Sequence, residues 1–259
     1  MFNLLTAERV KLSRSKKLMI VVAILSLLPI YQVINNKVLV HHGSTLVQVK
    51  DTVINGSTGI LMIEKNGLTI LLVISAFISF FIGEEFQNGT IRNALSLGRS
   101  RTHYYLSKFT IATLVSFVGV MLTTIIGMIG YSLAFGFGEV AEINNYYIYA
   151  IKTFSTLYIL ILANVSVYVM ISFLSKNSAV SLIWSFLYTI ATWVVPGTFQ
   201  QTNHFKPLTN WFTEMYLFNY DFAKPMDIAK YPDMILVSLI TIVLSSTLGI
   251  IIFKRTDIK

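Results

Sequence analysis

Cysteine is absent from all 259 residues, which excludes disulfides, thiolate metal sites and cysteine nucleophiles together. Charge is scarce. Asp, Glu, Lys and Arg make up 12% of the chain and 54% is hydrophobic, whereas an ordinary soluble domain carries about 25% charge. That shortage argues against a water-soluble fold. The phosphate-cradling G-x-x-x-x-G-K-[ST] loop, the H-E-x-x-H zinc helix and the G-x-S-x-G nucleophile elbow are all missing. No catalytic residue, resident cofactor or metal site is therefore assigned to this chain. His41 and His42 stand side by side in an expected loop, a poor spacing for a metal without further ligands, and read best as a solvated pair.

Charge is not only scarce but unevenly placed. Six stretches, 18–36, 66–83, 109–138, 153–175, 177–205 and 234–253, lack Asp, Glu, Lys and Arg altogether. Each contains an apolar run near the roughly 17–25 residues that a helix rising about 1.5 Å per residue needs to cross about 30 Å of hydrocarbon. The pattern predicts an all-α polytopic membrane protein, a single transmembrane domain over 1–259. Its six helix cores fall near 18–34, 67–83, 110–135, 153–174, 178–197 and 234–253. The third is too long for an untilted span, so it tilts or projects from the membrane. The first follows Arg14, Lys16 and Lys17 as a signal peptide would. Its apolar core is longer than a typical h-region and no small-x-small site follows, so a retained helix is expected.

With six spans both termini share one side. Thirteen of the 20 basic residues fall there, in 1–17, 84–108, at Lys176 and after Phe253, with only Glu8, Glu84, Glu85 and Asp257 as acids. The positive-inside rule then puts the termini and the 84–108 insert in the cytoplasm, which implies a multi-pass protein of a cytoplasmic membrane. The net charge of +8 reflects that orientation. No soluble basic domain exists to dock on a duplex, so nucleic acid is not an expected partner.

Between the spans, residues 1–17 suggest a short surface helix with Phe2, Leu5 and Leu12 on one face. An outer loop is expected over 35–66, with "NGSTG" as a turn and Asn55 in a formal glycosylation sequon. The segment 198–233 scatters Phe199, Phe205, Trp211, Phe212, Tyr216, Phe218, Tyr220 and Phe222 among polar residues. It suits either short helices dipping into the outer interface or a packed lid. Inside the spans, small residues recur every fourth position: Ser75, Ser79 and Gly83; Gly119, Thr123 and Gly127; Ser181, Ser185 and Thr189; Thr241, Ser245 and Gly249. Such rows let helices approach closely, within or between subunits, and a permeation path is the sharper alternative. Pro29 and Pro196 each cost a span one backbone hydrogen bond.

None of the six cores contains a carboxylate, the group that ion-coupled transporters commonly keep in the membrane at a cost of about 2.5–3.5 kcal/mol. That weakens secondary transport without removing it, because backbone and hydroxyl oxygens also bind sodium. Energy for uphill movement is then expected from outside the chain. A cytoplasmic motor needs a handle.

The insert "GEEFQNGTIRNALSLGRSRTHYYLSK", 83–108, has the features of one. Glu84 and Glu85 close the second span, 88–90 offers a turn with a capping residue, and Ile91, Ala94 and Leu95 form an apolar stripe at helical spacing. Gly98 can stop that helix, and Arg99, Arg101 and Lys108 lie where the chain re-enters the membrane and can meet lipid phosphates. Ile91 and Leu95 are expected to form an exposed apolar edge. Glu84 or Glu85 is expected either to pair with a nearby base or to remain solvated.

The order of these residues resembles the signature of the membrane subunits of type-2 ATP-binding-cassette exporters. Acidic residues close the second helix (Glu84, Glu85), Gly89 and Thr90 follow after a gap, then the hydrophobic 91–97, then Ser100 and Arg101, then Lys108 and Phe109 opening the third helix. The proline that this family often places near Gly98 is not present. Residue-level similarity covers about 25 positions; six spans, an aromatic segment before the last helix and the "FKRTDIK" ending agree with it. The resemblance implies a dimer of permease subunits with two separate ATPase subunits that hold ATP and Mg. The insert, with Glu84, Glu85, Gly89, Thr90, Ile91, Arg92, Ala94, Leu95 and Arg101, would be the coupling helix docking on the ATPase. It also implies a bacterial host and export of, or protection against, amphipathic or antimicrobial peptides, as in lantibiotic-immunity and modulin-type exporters. Drug or lipid-linked cargo, and a sensor or immunity protein that binds a peptide without moving it, are the alternatives.

Overall fold

A computed structural model describes residues 2–13, 15–42, 48–49, 52–53, 55–96, 98–138, 145–199, 206–220, 222 and 230–256. The chain begins with α1 (Phe2–Ser13) and α2 (Lys16–His41). A two-residue antiparallel pair follows, β1 (Gln48–Val49) with β2 (Thr52–Val53). A 3-10 turn (Ser57–Leu61), α3 (Met62–Lys65), α4 (Gly67–Gln87), α5 (Thr90–Ser96), α6 (Arg101–Phe135), α7 (Tyr146–Ser175) and α8 (Ser178–Phe199) come next. A second 3-10 turn (Lys206–Trp211), α9 (Thr213–Asn219) and α10 (Lys230–Arg255) complete the order. Six of these helices, α2, α4, α6, α7, α8 and α10, are long and apolar enough to cross a membrane. The fold is an all-α bundle of membrane-length helices.

α7 is the most buried of the six and packs on α10, α4, α8 and α6. The small-residue rows sit in these seams. A Cβ on Gly83 would come within 2.5 Å of the Ser178 backbone, so α4 meets the start of α8 almost backbone to backbone. Ser181 donates to Ser79 at 3.0 Å and lies 2.6 Å from Ser172, stitching α8 to α4 and α7. Ser75 and Ser185 are buried in the same region. Thr123 donates to the Leu25 carbonyl, and Gly119 leaves room for the Leu25 side chain, which seats α2 on α6. Ser245 donates to Ser166 at 2.7 Å, and Gly249 faces the Tyr105 ring, joining α10 to α7 and α6. Thr241, one turn earlier, is half-buried and bonds its own helix at Val237.

Two segments depart from the expected loops. α2 continues to His41, past the last residue of its charge-free stretch. Residues 57–64 are buried rather than solvated, because Gly59 brings this backbone against Met128 of α6 and Gly127 admits Met62. Asn55 Oδ1 accepts from the Thr58 amide and the Ser57 hydroxyl, so "NGSTG" is a turn held by its own asparagine. In the other segment, α9 packs on α7 and α8, burying Tyr216 and Phe222 while Trp211 stays exposed. Phe205 lies outside the described residues. α6, with 35 residues, is about 52 Å long, far beyond the hydrocarbon thickness.

Candidate functional site

The acids that end α4 lie on successive positions and meet different helices. Glu85 is buried, and its carboxylate is shared by three donors: Lys11 of α1, Tyr104 of α6, and Lys108 of α6 at 2.6 Å. Lys108 is 0% exposed and also reaches Glu8 of α1 at 2.6 Å. Its ammonium stands 4.3 Å from the centre of the Phe81 ring. Two acids and two bases thus alternate across α1, α4 and α6. Glu84, half-exposed, pairs with Lys17 at the start of α2. A buried carboxylate and a buried ammonium are tolerated here because each is paired and hydrogen-bonded.

α5 hangs directly from this node. Asn88 closes α4, Gly89 turns the chain with φ +67°, and the Thr90 hydroxyl donates back to the Glu85 carbonyl. Gly98, with φ +77°, ends the segment through a bond from its amide to the Leu95 carbonyl. The apolar stripe faces inward, contrary to expectation. Ile91 is 0% exposed, and Ala94 and Leu95 are half-buried against the core. The physical reason is that a seven-residue helix folded back on the bundle lowers its energy by burying its only apolar side. Thr90, Arg92, Asn93 and Ser96 are the exposed residues instead.

Two of the three bases expected to meet lipid phosphate have protein partners instead. Lys108 belongs to the node, and Arg101 donates from Nη1 to the carbonyls of Phe253, Lys254 and Thr256. Those carbonyls end α10 and carry its partial negative charge, so a guanidinium is the natural cap. Arg99 is exposed. Beneath the node, Phe86, Tyr104, Tyr105, Phe173 and Phe253 form an aromatic cluster from α4, α6, α7 and α10. Leu12 of α1 packs on the same core; the side chains of Phe2 and Leu5 lie outside the described residues.

Sequence reasoning missed the partners. Glu8 and Lys11 are one helical turn apart on α1, a spacing that puts opposite charges on one edge, and this was the available signal. It also missed Glu214 on α9, which is 1% exposed. Among the described residues no group of His, Asp or Glu could hold a metal ion.

The bundle of membrane-length helices thus carries a short helix, α5, slung between two spans beside a node of ion pairs that joins α1, α4 and α6. The family described as ABC-2 family transporter protein matches residues 4–192, well over half of the chain, and the chain belongs to that family. It is thus a multi-pass transporter membrane subunit, and membership implies partnership with ATP-binding-cassette ATPase subunits. No match was found among the curated proteins.

Proposed function

We propose that the chain is a permease subunit of an ATP-driven exporter in a bacterial cytoplasmic membrane, with both termini and α5 on the cytoplasmic side. Two such subunits form the membrane unit, and two ATPase subunits bind and hydrolyse Mg-ATP. The observation that carries the reading is the attachment of α5. Its polar face, Arg92, Asn93 and Ser96, is exposed, while its apolar face packs on the core and Thr90 bonds back to Glu85 of α4, whose carboxylate is tied to α1 and α6. A push on α5 is therefore transmitted to three helices at once. Charge-bearing contacts at Arg92 suit an acidic cleft on the ATPase better than an apolar one.

The cargo is hydrophobic or amphipathic, most simply an antimicrobial or cytolytic peptide. A groove of about 500 Å³ between α2, α4 and α8 supports this. Its walls are Ile20, Ile24, Leu72, Phe77, Phe80 and Phe186, and its polar end carries the Lys17–Glu84 ion pair. Such a surface solvates an apolar body with one polar head.

The test is reconstitution with the ATPase subunit of the same host. Substrate-stimulated ATP hydrolysis is expected with the wild-type chain and lost with Arg92→Glu, at unchanged thermal stability. A chain that purifies and binds peptide without any ATPase would establish a sensor or immunity protein in place of an exporter. Stimulation by lipid-linked or small drug molecules but not by peptides would reassign the cargo.

A further inference from the structure

The membrane helices lack carboxylates in their cores, yet the tertiary structure inserts one from outside them. α9 sits on α7 and α8 at the end of the bundle opposite the termini, and its Glu214 is almost wholly buried. Glu214 Oε1 is 2.7 Å from Thr192 Oγ1, and Oε2 is 3.1 Å from Thr213 Oγ1, which in turn accepts from Asn164 Nδ2. Every side-chain partner is neutral. Glu85 makes the contrast: the same residue type, similarly buried, faces two lysines.

A hydroxyl has one proton to give. Thr192 Oγ1 also lies 2.8 Å from the Tyr188 carbonyl, the i−4 bond that a helical threonine ordinarily makes inside a bilayer. When Thr192 gives its proton there, its contact with Oε1 needs a proton from the carboxyl group. A neutral acid donates that bond; an anion cannot. An unpaired carboxylate buried this deeply would be costly, and Asn164 Oδ1, buried without a hydrogen bond, supplies no positive charge.

We propose that Glu214 is a proton-binding site inside the membrane domain, filled while α9 is seated on α7 and α8 and emptied when α9 lifts. The proton is the ligand, and the site is Glu214 with Thr192 and Thr213. The titratable groups around it agree. Among the described residues, the hydroxyls of Tyr168 of α7 and Tyr188 of α8 stand near it. On α10, Asp233 acts on Tyr216 and Lys230 lies over Tyr220. On α3, Glu64 acts on Tyr149 and Lys65 is exposed. The turn before α9 adds no titratable group among its described side chains. Burial also raises the Glu214 carboxyl above its ordinary value, against the smaller opposing pull of the Thr192 and Thr213 hydroxyls.

Infrared difference spectra of the full chain in lipid nanodiscs test the site. Wild type minus Glu214→Gln at about pH 6, well above an ordinary glutamate, is expected to show the C=O band of a neutral carboxylic acid, which vanishes as pH is raised. Glu214→Asp keeps the acid, should shift the band, and covers the case in which the glutamine variant does not fold. Absence of any neutral-acid band in wild type at that pH overturns the proposal. Hydrogen exchange of the α9 amides reads the second half. Relative to Glu214→Gln at the same pH, wild-type exchange should quicken by up to about tenfold per pH unit between the ordinary glutamate range and the midpoint of the infrared band, and level off above it; equal rates at every pH overturn it. Neither measurement involves an ATPase, so either outcome is separable from that of the exporter reading.

Discussion

Lys108 shows how far a residue's setting can depart from its place in the sequence. Next to a membrane boundary it looks like a base for lipid headgroups, yet it is fully buried between Glu8 and Glu85. Replacing it with Met should leave the buried Glu8 without its lysine, while Glu85 keeps Lys11 and Tyr104, and cost about 3–5 kcal/mol, measured as a fall in unfolding free energy in detergent. Lys17→Ala, at the half-exposed pair with Glu84, should cost only about 0–1 kcal/mol in the same assay. Glu214 gives a pH signature of the opposite kind to a salt-bridged acid. Its value is raised on folding, so its stabilising effect is full below the ordinary carboxylate range, about pH 4, and is lost as pH rises through the folded value. Glu214→Gln should therefore match wild type in acid and become the more stable of the two toward neutral and alkaline pH, as melting temperatures across that range will record.

At the scale of elements, α5 separates two effects that its sequence blends. The stripe of Ile91, Ala94 and Leu95 was legible, and so were the turn at Gly89 and the stop at Gly98, because spacing and glycine placement are local. The side that the stripe faces was not legible, since it depends on where α1, α4 and α6 stand. Ile91→Ala should thus act as a core truncation, costing about 2–5 kcal/mol of stability. Arg92→Glu should change stability by no more than about 0.5 kcal/mol and still abolish coupling to the ATPase. The seam between α4 and α8 tests the small-residue rows. Gly83→Val puts atoms against the Ser178 backbone, which cannot swing aside, and about 1–3 kcal/mol of destabilisation is expected by thermal or denaturant unfolding.

Across the whole molecule, the two ends of the bundle are held by different physics. At the end with the termini, paired charges and the Arg101 cap tie α1, α4, α6 and α10 together. At the other end, neutral hydrogen bonds from Glu214, Thr192, Thr213 and Asn164 hold α9 on the bundle. A chain without cysteine makes the topology simple to check. A single cysteine at Ser96 should react with a membrane-impermeant maleimide from the cytoplasmic side only, and one at Trp211 from the other side only; labelling of both from one side would refute the six-span orientation.

Much of this protein follows from sequence alone: the six spans, the short helix between the second and third, and the rows of small residues. Those features rest on composition and on the fixed periods of a helix, which need no partner to be expressed. Only the tertiary structure decided which charges are buried, that 57–64 folds into the bundle, that the apolar side of α5 turns inward, and that an acid from outside the spans enters the membrane domain. Burial and pairing are relations between segments far apart in the chain; Glu8 and Lys108 meet across a hundred residues, and no local pattern encodes such a meeting.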